Sequence, residues 1–399
     1  MLIVVQNLPV PFDRRVWLEA TTLAGAGYAV SVICPKLKGY NASHETLEGV
    51  AIYRYGVPID PSSKAGFVAE IIWAFMRTFF LSIRVALFGG GFDLIHACNP
   101  PETYWMLGRF WSLFGKRFIF DHHDLSPELF EVKFEGKKGF FHRLLLVFER
   151  ESHRTAQVSI VTNESYKEVA VARGDADPDL VFVVRSGPDL NRFRRFEPDP
   201  SLKAGKPYLV AYLGEVGTQD GVDGLVRVAR ILRDDLGRDD VHFLVIGGGE
   251  HQPSIVALAD TMGIADLFTF TGDVRDDERL CRLLSSADLG VDPVPKNAWS
   301  DRSTANKVVE YMYFGLPFVG YDLAEARRSA GDAGAYAEPG SEEDFARVIA
   351  GLLDDPDRRK TMGEVGIDRL ETELAWQHSV EPLLSAYATA FGERPDRPS

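Results

Sequence analysis

Short runs of β-branched and apolar residues alternate along the chain with longer stretches of helical period. "LIVVQN", "AVSVICP", "DLIHACN", "RFIFDHHD" and "VSIVTN" form a first series; "YLVAYLG", "VHFLVIGGG", "LFTFTG", "ADLGVDP" and "PFVGYD" form a second. A strand covered on both faces has no polar side, so unbroken apolar runs separated by helix-length segments predict a parallel sheet with crossover helices. Each series is a doubly wound, Rossmann-like α/β domain in outline. Between them "SGPDLNRFRRFEPDPSLKAGKP" is rich in Pro, Gly and charge and marks a linker. The pattern predicts an N-terminal domain over 1–190 and a second over 191–375. "WQHSVEPLLSAYATAF", within 376–399, has helical spacing and is free to pack back on the N-terminal domain. Ligands of such sheets bind beyond the carboxyl ends of the strands, and two facing domains would make a cleft.

Composition narrows the classes. A chain of 399 residues that is 45% hydrophobic can bury the cores of two domains. Cys34, Cys98 and Cys281 form no closely spaced metal or disulfide pattern, which points to buried thiols in a reducing compartment. The opening "MLIVVQNLPVPFD" has no basic leader, and Gln6 and Asn7 break its apolar run, so a first strand is expected and no export signal. The net charge of -14 lies mostly beyond residue 190 and argues against a nucleic-acid partner.

The stretch "DRSTANKVVEYMYFGLPFVG", residues 301–320, carries the most specific chemistry. Ser303 or Thr304 suits an N-cap, residues 305–314 have helical period, and Gly315 and Pro317 stop them. Lys307 and Glu310, at i and i+3, then share a face. A helix N-terminus with a lysine can seat a diphosphate, and a glutamate can accept from a ribose diol. The same spacing also suits an ion pair on a solvated face.

The segment "STANKVVEYMYFGLPFVGYD" resembles the donor-binding helix of the family 4 retaining glycosyltransferases, which have the GT-B fold of two Rossmann-like domains. Further stretches agree in order: "FDRRVWLEATTLAGAGYAVSVI", "FDHHDLSPELF", "VTNESY", "VVRSGPDLNRF", "YLGEVGTQDGVDGL", "LVIGGGE", "FTGDV" and "LLDDPDRRKTMGEVG". In that family the second glutamate of a Glu-x7-Glu motif binds the nucleotide ribose, and Glu310 matches it. The first usually contacts the sugar. Arg302 stands there, with Asp301 beside it. Relatives commonly carry an arginine and a lysine, five apart, on the diphosphate; here the positions hold Glu215 and Asp220. Two acids cannot inherit that role. Lys307, then Arg302 next to Ser303, are the replacement cations, with backbone donors at Gly214, Gly217 and Gly248. The resemblance implies that backbone near Val274 reads the base of a UDP- or GDP-linked sugar.

In the first domain His123 with Asp124 matches the family's histidine near the anomeric carbon, while His122 alternates away along its strand. The resemblance implies transfer with retention, the leaving phosphate accepting the proton, and no cofactor or metal. "DPDL", residues 177–180, spells the D-x-D of metal-dependent enzymes of another fold, yet its Pro suits a loop turn. Two rival functions share the fold: a nonhydrolysing nucleotide-sugar epimerase, and a non-catalytic partner subunit.

Residues 67–88, "FVAEIIWAFMRTFFLSIRVALF", are apolar and aromatic, but Glu70, Arg77 and Arg84 argue against a spanning helix. An amphipathic helix lying among headgroups is expected instead, joined by the basic segment 133–154, which holds Lys137 and Lys138. Either could equally be a core helix with a charged outer face. The expectation is a cytoplasmic enzyme, peripheral on the inner face of the cell membrane, with a glycan or polyprenyl-linked acceptor of cell-surface polysaccharide synthesis.

Overall fold

The computed structural model describes residues 1–58, 64–133, 138–188, 190 and 192–392. Lys137 and residues 189 and 191 of the expected linker lie outside these. The chain divides into Met1–Ser186 with the segment from Ser379 onward, and Gly187–His378.

The first unit holds strands β1 (Leu2–Val4), β2 (Ser31–Pro35), β3 (His44–Leu47), β4 (Val50–Tyr55), β5 (Leu94–Cys98), β6 (Arg117–His122), β7 (Val158–Val161) and β8 (Val181–Val183). Their order is β3-β4-β2-β1-β5-β6-β7-β8. Every pairing is parallel except β3 with β4. Strand β1, "LIV", is fully buried between β2 and β5. The helix Arg14–Gly25 follows it, started by the Asp13 carboxylate, which accepts from the Val16 amide at 3.1 Å.

The second unit holds β9 (Tyr208–Leu213), β10 (Val241–Ile246), β11 (Phe268–Phe270), β12 (Leu289–Asp292), β13 (Phe318–Tyr321) and β14 (Gly334–Ala337). They are all parallel, in the order β11-β10-β9-β12-β13-β14. Every strand expected from the two apolar series forms. β8, formed by the short apolar stretch Val181–Val183, lies outside those runs. The antiparallel β3–β4 pair and β14 also lie outside them and were not expected. The first turns on Glu48 and Gly49, both at positive φ, and the second, "GAYA", is short and low in β-branched residues.

The closing helix Gln377–Phe391 belongs mainly to the first unit. Ser379 Oγ donates to Arg185 O at 2.9 Å, and Phe391 stacks on Tyr28 with ring centres 6.3 Å apart.

The helix Lys64–Phe88 has two faces. Ala74, Thr78, Ser82 and Val85 recur at helical spacing and are buried. Thr78 meets the Tyr104 hydroxyl at 3.3 Å, and Ser82 Oγ accepts from Trp111 Nε1 at 2.9 Å. The other face exposes Ile72, Met76, Phe80, Leu87 and Phe88. Its 21-residue portion Val68–Phe88 is long and apolar enough to cross a membrane.

Candidate functional site

Strand β9 is the switch point of the second sheet, with neighbours of opposite crossover direction on its two sides, and the loops at its carboxyl end carry the expected residues. The helix Asn306–Tyr313 begins at Ala305, which has no side chain to cap it. This corrects the expected cap at Ser303 or Thr304: the Ser303 hydroxyl donates back to Trp299 O at 2.9 Å and closes the preceding turn. Gly315, at φ 67°, ends the helix as its sequence requires.

Lys307, in the first turn, reaches back over the strand ends. Its Nζ lies 2.9 Å from Asp292 Oδ1 at the end of β12 and 4.4 Å from the centre of the Tyr212 ring at the end of β9. Burial lowers the lysine's pKa, but Asp292, Tyr311 and Asp220 together outweigh it and the net shift is upward. Gly214 lies against the ammonium at φ 149°, which favours glycine, and a Cβ there would stand a tight 3.2 Å from Nζ. Asp220 accepts from the Gly217 amide at 3.0 Å; burial pushes its carboxyl up, against the field of Lys307. The acid that replaces a basic residue is thus part of the Lys307 cluster.

The three loops after β9, β10 and β11 are laced main chain to main chain. Gly214 N donates to Ile246 O at 3.0 Å, Val216 N to Gly248 O at 3.0 Å, and Gly247 N to Gly272 O at 3.2 Å. Of the amides expected to face phosphate, that of Gly214 is therefore turned inward, and that of Gly217 is taken by the Asp220 carboxylate of its own loop. A Cβ on Gly247 would stand 1.9 Å from Gly214 O, and one on Gly248 would stand 2.7 Å from Asp273 Oδ1. Val274 is half-buried on the core beside this lacework. Arg302 is exposed in the loop before the helix, and Glu310 is half-buried one turn beyond Lys307. Asp301 accepts from the Ala324 amide at 2.8 Å and from Lys296 Nζ at 3.2 Å, so its carboxylate caps the next helix.

In the first unit the polar centre lies at the carboxyl ends of β5 and β6. His123 Nε2 sits 2.5 Å from Asp121 Oδ2, two residues back on the same face of the strand. Asp124, expected beside His123 near the sugar, is held through its backbone: its amide donates to Asn99 Oδ1 at 3.2 Å, and its carbonyl accepts from Asn99 Nδ2 at 2.7 Å. His122 turns to the other face, as alternation requires, and packs buried against Phe120, His153 and Tyr166.

Asp121 is the site residue that family matching missed, although the i,i+2 spacing in "DHH" contains it. It is fully buried, 2.9 Å from Arg15 and 3.1 Å from His96 Nε2. Burial would raise its pKa, but Arg15 and then His123 hold it well below the carboxylate range. Burial pushes the Glu19 carboxyl well above its usual value, opposite to Asp121, although Arg15 lies against both. Glu19, Cys98, Asp121 and His123 bring possible metal-ligand atoms within 4.8 Å of one another. The Arg15 guanidinium lies on both carboxylates, where a cation would have to go. In "DPDL", Asp177 accepts from the Asp179 amide at 3.0 Å, a closed loop turn.

A family model for the glycosyl transferase 4-like domain matches residues 13–187, and one for glycosyl transferases group 1 matches residues 207–355. Together they account for most of the chain, in the order of the two units. A D-inositol 3-phosphate glycosyltransferase of Salinispora tropica is 25% identical over 331 residues, 77% of this chain and 66% of that protein. The chain therefore spans about two thirds of that relative's length. Sucrose-phosphate synthase from Thermosynechococcus elongatus matches in structure with a TM-score of 0.76 at 19% identity, over 98% of this chain and 99% of its own. Anabaena Alr3699/HepE, solved in complex with UDP-glucose, matches with a TM-score of 0.71 at 14% identity, over 97% and 99%.

Proposed function

Since the chain belongs to the family 4 glycosyltransferases with the GT-B fold, we propose that it transfers a sugar from a nucleotide diphosphate donor to a glycan or lipid-linked acceptor, with retention and without metal. The observation that carries this is the placement of Lys307 and Glu310 in the first two turns of a helix at the switch point of the second sheet. Lys307 supplies charge to the diphosphate in place of the usual basic pair, and Glu310 accepts from the ribose diol. Arg302, exposed ahead of the helix, is a second cation for the phosphates or sugar. Backbone near Val274 reads the base, and HepE's UDP-glucose favours uridine. His123 faces the sugar. The leaving phosphate takes the acceptor's proton, so the protein's part is to hold charge and orientation and to keep water out.

On the acceptor side, the exposed apolar face of Lys64–Phe88 supports peripheral attachment to the cytoplasmic leaflet, because its opposite face is committed to the protein core. Phe140 and Phe141, at the start of the basic helix Phe140–Thr155 of the same unit, are also exposed and add to that reading. A second acceptor class, a phosphorylated polyol or sugar, is favoured by the relative's name, D-inositol 3-phosphate glycosyltransferase.

The test is incubation with labelled UDP- and GDP-sugars, with polyprenyl-linked glycans or inositol 3-phosphate, and with chelator. Labelled product that keeps the donor's anomeric configuration, forms in chelator and needs an acceptor supports the proposal. Donor turned over without acceptor would make it an epimerase. No turnover with any donor would leave only a binding role.

A further inference from the structure

The hydrogen bonds around His123 continue inward as a chain. His123 Nε2 meets Asp121 Oδ2 at 2.5 Å, and the same oxygen meets His96 Nε2 at 3.1 Å. His96 Nδ1 meets the hydroxyl of Tyr387, on the closing helix Gln377–Phe391, at 2.6 Å. Arg15 grips the other oxygen of Asp121 at 2.9 Å and anchors itself on Val184 O at 2.6 Å and Ser186 Oγ at 3.0 Å. His96 and Asp121 are fully buried, so the bonds among Arg15, Asp121, His96 and Tyr387 are kept from water, while the His123 ring at the outer end is partly exposed.

The donors and acceptors can be assigned. An ionised Asp121 only accepts, so both imidazoles must present an N–H to it. For His96 that leaves Nδ1 as an acceptor, which the Tyr387 hydroxyl fills. For His123 it leaves Nδ1 as the nitrogen with the free lone pair, without a hydrogen bond among the described residues, on a ring that is partly exposed.

We infer that Asp121 is the positioning residue for His123: it fixes the ring as the Nε2–H tautomer with the Nδ1 lone pair free, and is itself braced by Arg15 and by the His96–Tyr387 pair from the closing helix. Without the carboxylate the two tautomers would interconvert, and a sugar hydroxyl would meet the correct nitrogen only part of the time. The geometry stands by itself; the consequence for turnover rests on the reading of His123 as facing the sugar. The closing helix thereby holds a buried polar position as well as apolar contacts. Its attachment to the first unit is part of how the histidine is set.

The test labels the histidines with nitrogen-15 and records long-range proton–nitrogen spectra of the full chain, alongside turnover and nucleotide affinity. Wild type should show His123 as a single Nε2–H tautomer. Asp121→Asn should give mixed tautomers, with kcat down about 100-fold and nucleoside diphosphate affinity within about threefold. Glu19 can ionise against Arg15 in this variant, which favours folding. If it does not fold, Tyr387→Phe decides: loss of the hydroxyl should move the ring signals of both His96 and His123. Unchanged His123 signals in the folded variant tested would overturn the inference. His123→Ala with full turnover, while Asp121→Asn still mixes the tautomers, would leave the positioning intact and remove His123 from the sugar.

Discussion

Lys307 Nζ and Asp292 Oδ1 are 2.9 Å apart, both nearly buried. The strand end that places Asp292 and the helix start that places Lys307 make the pair, and a diphosphate entering the site would share that ammonium with the carboxylate. Lys307→Ala should weaken UDP binding by about 2 kcal/mol, as for a charge-assisted contact. Isothermal calorimetry with UDP measures it, and full affinity in the variant would place the phosphates elsewhere.

The same pair predicts a second effect. Asp292→Asn leaves a buried ammonium without its counter-charge and should cost about 1–3 kcal/mol of stability. A bound diphosphate would restore the missing negative charge. UDP should therefore raise the melting temperature of Asp292→Asn more than that of wild type. Equal increments would mean that the phosphates do not see Lys307.

Glu310→Gln replaces one acceptor oxygen with a donor at the expected ribose contact. The residue is half-buried on a helix whose core face is Val308, Val309, Tyr311 and Met312, so folding should survive. Activity at subsaturating donor should fall about tenfold to 100-fold, the value of one to two charged hydrogen bonds. Unchanged kcat/KM for the donor would take Glu310 out of the site.

The fold was legible because burial on both faces forces unbroken apolar strands, and all ten expected runs became strands. The β3–β4 pair escaped because its polar members, such as His44 and Glu45, resemble a loop, and β14 because Gly and Ala carry little strand signal. Around the candidate site, the helix that carries Lys307 and Glu310 was readable from its spacing. Asp121 was not, because its role depends on Arg15 and His96, 106 and 25 residues away in sequence. The inward turn of the Gly214 amide was likewise invisible, since it depends on which loops lie side by side.

Two buried groups in the first unit titrate in opposite senses. Burial, then Arg173, pushes His153 down to about 3, and burial pushes Glu149 up to about 7 against its bond to Arg173. As pH falls from 6.5 towards 3, the unfolded chain takes up a proton at His153 that the folded protein refuses, so stability is lost across that window. Glu149 does the reverse: the folded protein keeps its proton up to about pH 7, and stability falls as pH rises from 4.5 to 7. The two slopes, each about 1.4 kcal/mol per pH unit, offset one another between 4.5 and 6.5. Relative to wild type, His153→Gln should gain stability on acidification from 6.5 to 4.5, and Glu149→Gln should lose it. Urea unfolding at several pH values checks both. Parallel curves for all three proteins would show that neither group changes its protonation on folding.

The last prediction separates a membrane-facing helix from a core helix. Ile72 is 59% exposed, Phe80 56% and Phe88 84%, whereas Ala74, Thr78, Ser82 and Val85 on the opposite face are buried. Substituting the first group removes little packing, so Ile72→Asp with Phe80→Asp should leave stability within about 0.5 kcal/mol of wild type. If that face lies in the headgroup layer, the same double variant loses apolar area that would otherwise leave water, and adds two charges that anionic lipid repels. Wild-type protein should co-sediment with anionic vesicles at low salt and less at high salt, since the attraction from Arg77 and Arg84 is screened. The double variant should stay in the supernatant in both. A helix crossing the bilayer would behave differently: wild type would need detergent to leave the membrane, and salt would not release it. Wild type that ignores vesicles altogether would mean that the exposed aromatic face serves something other than lipid.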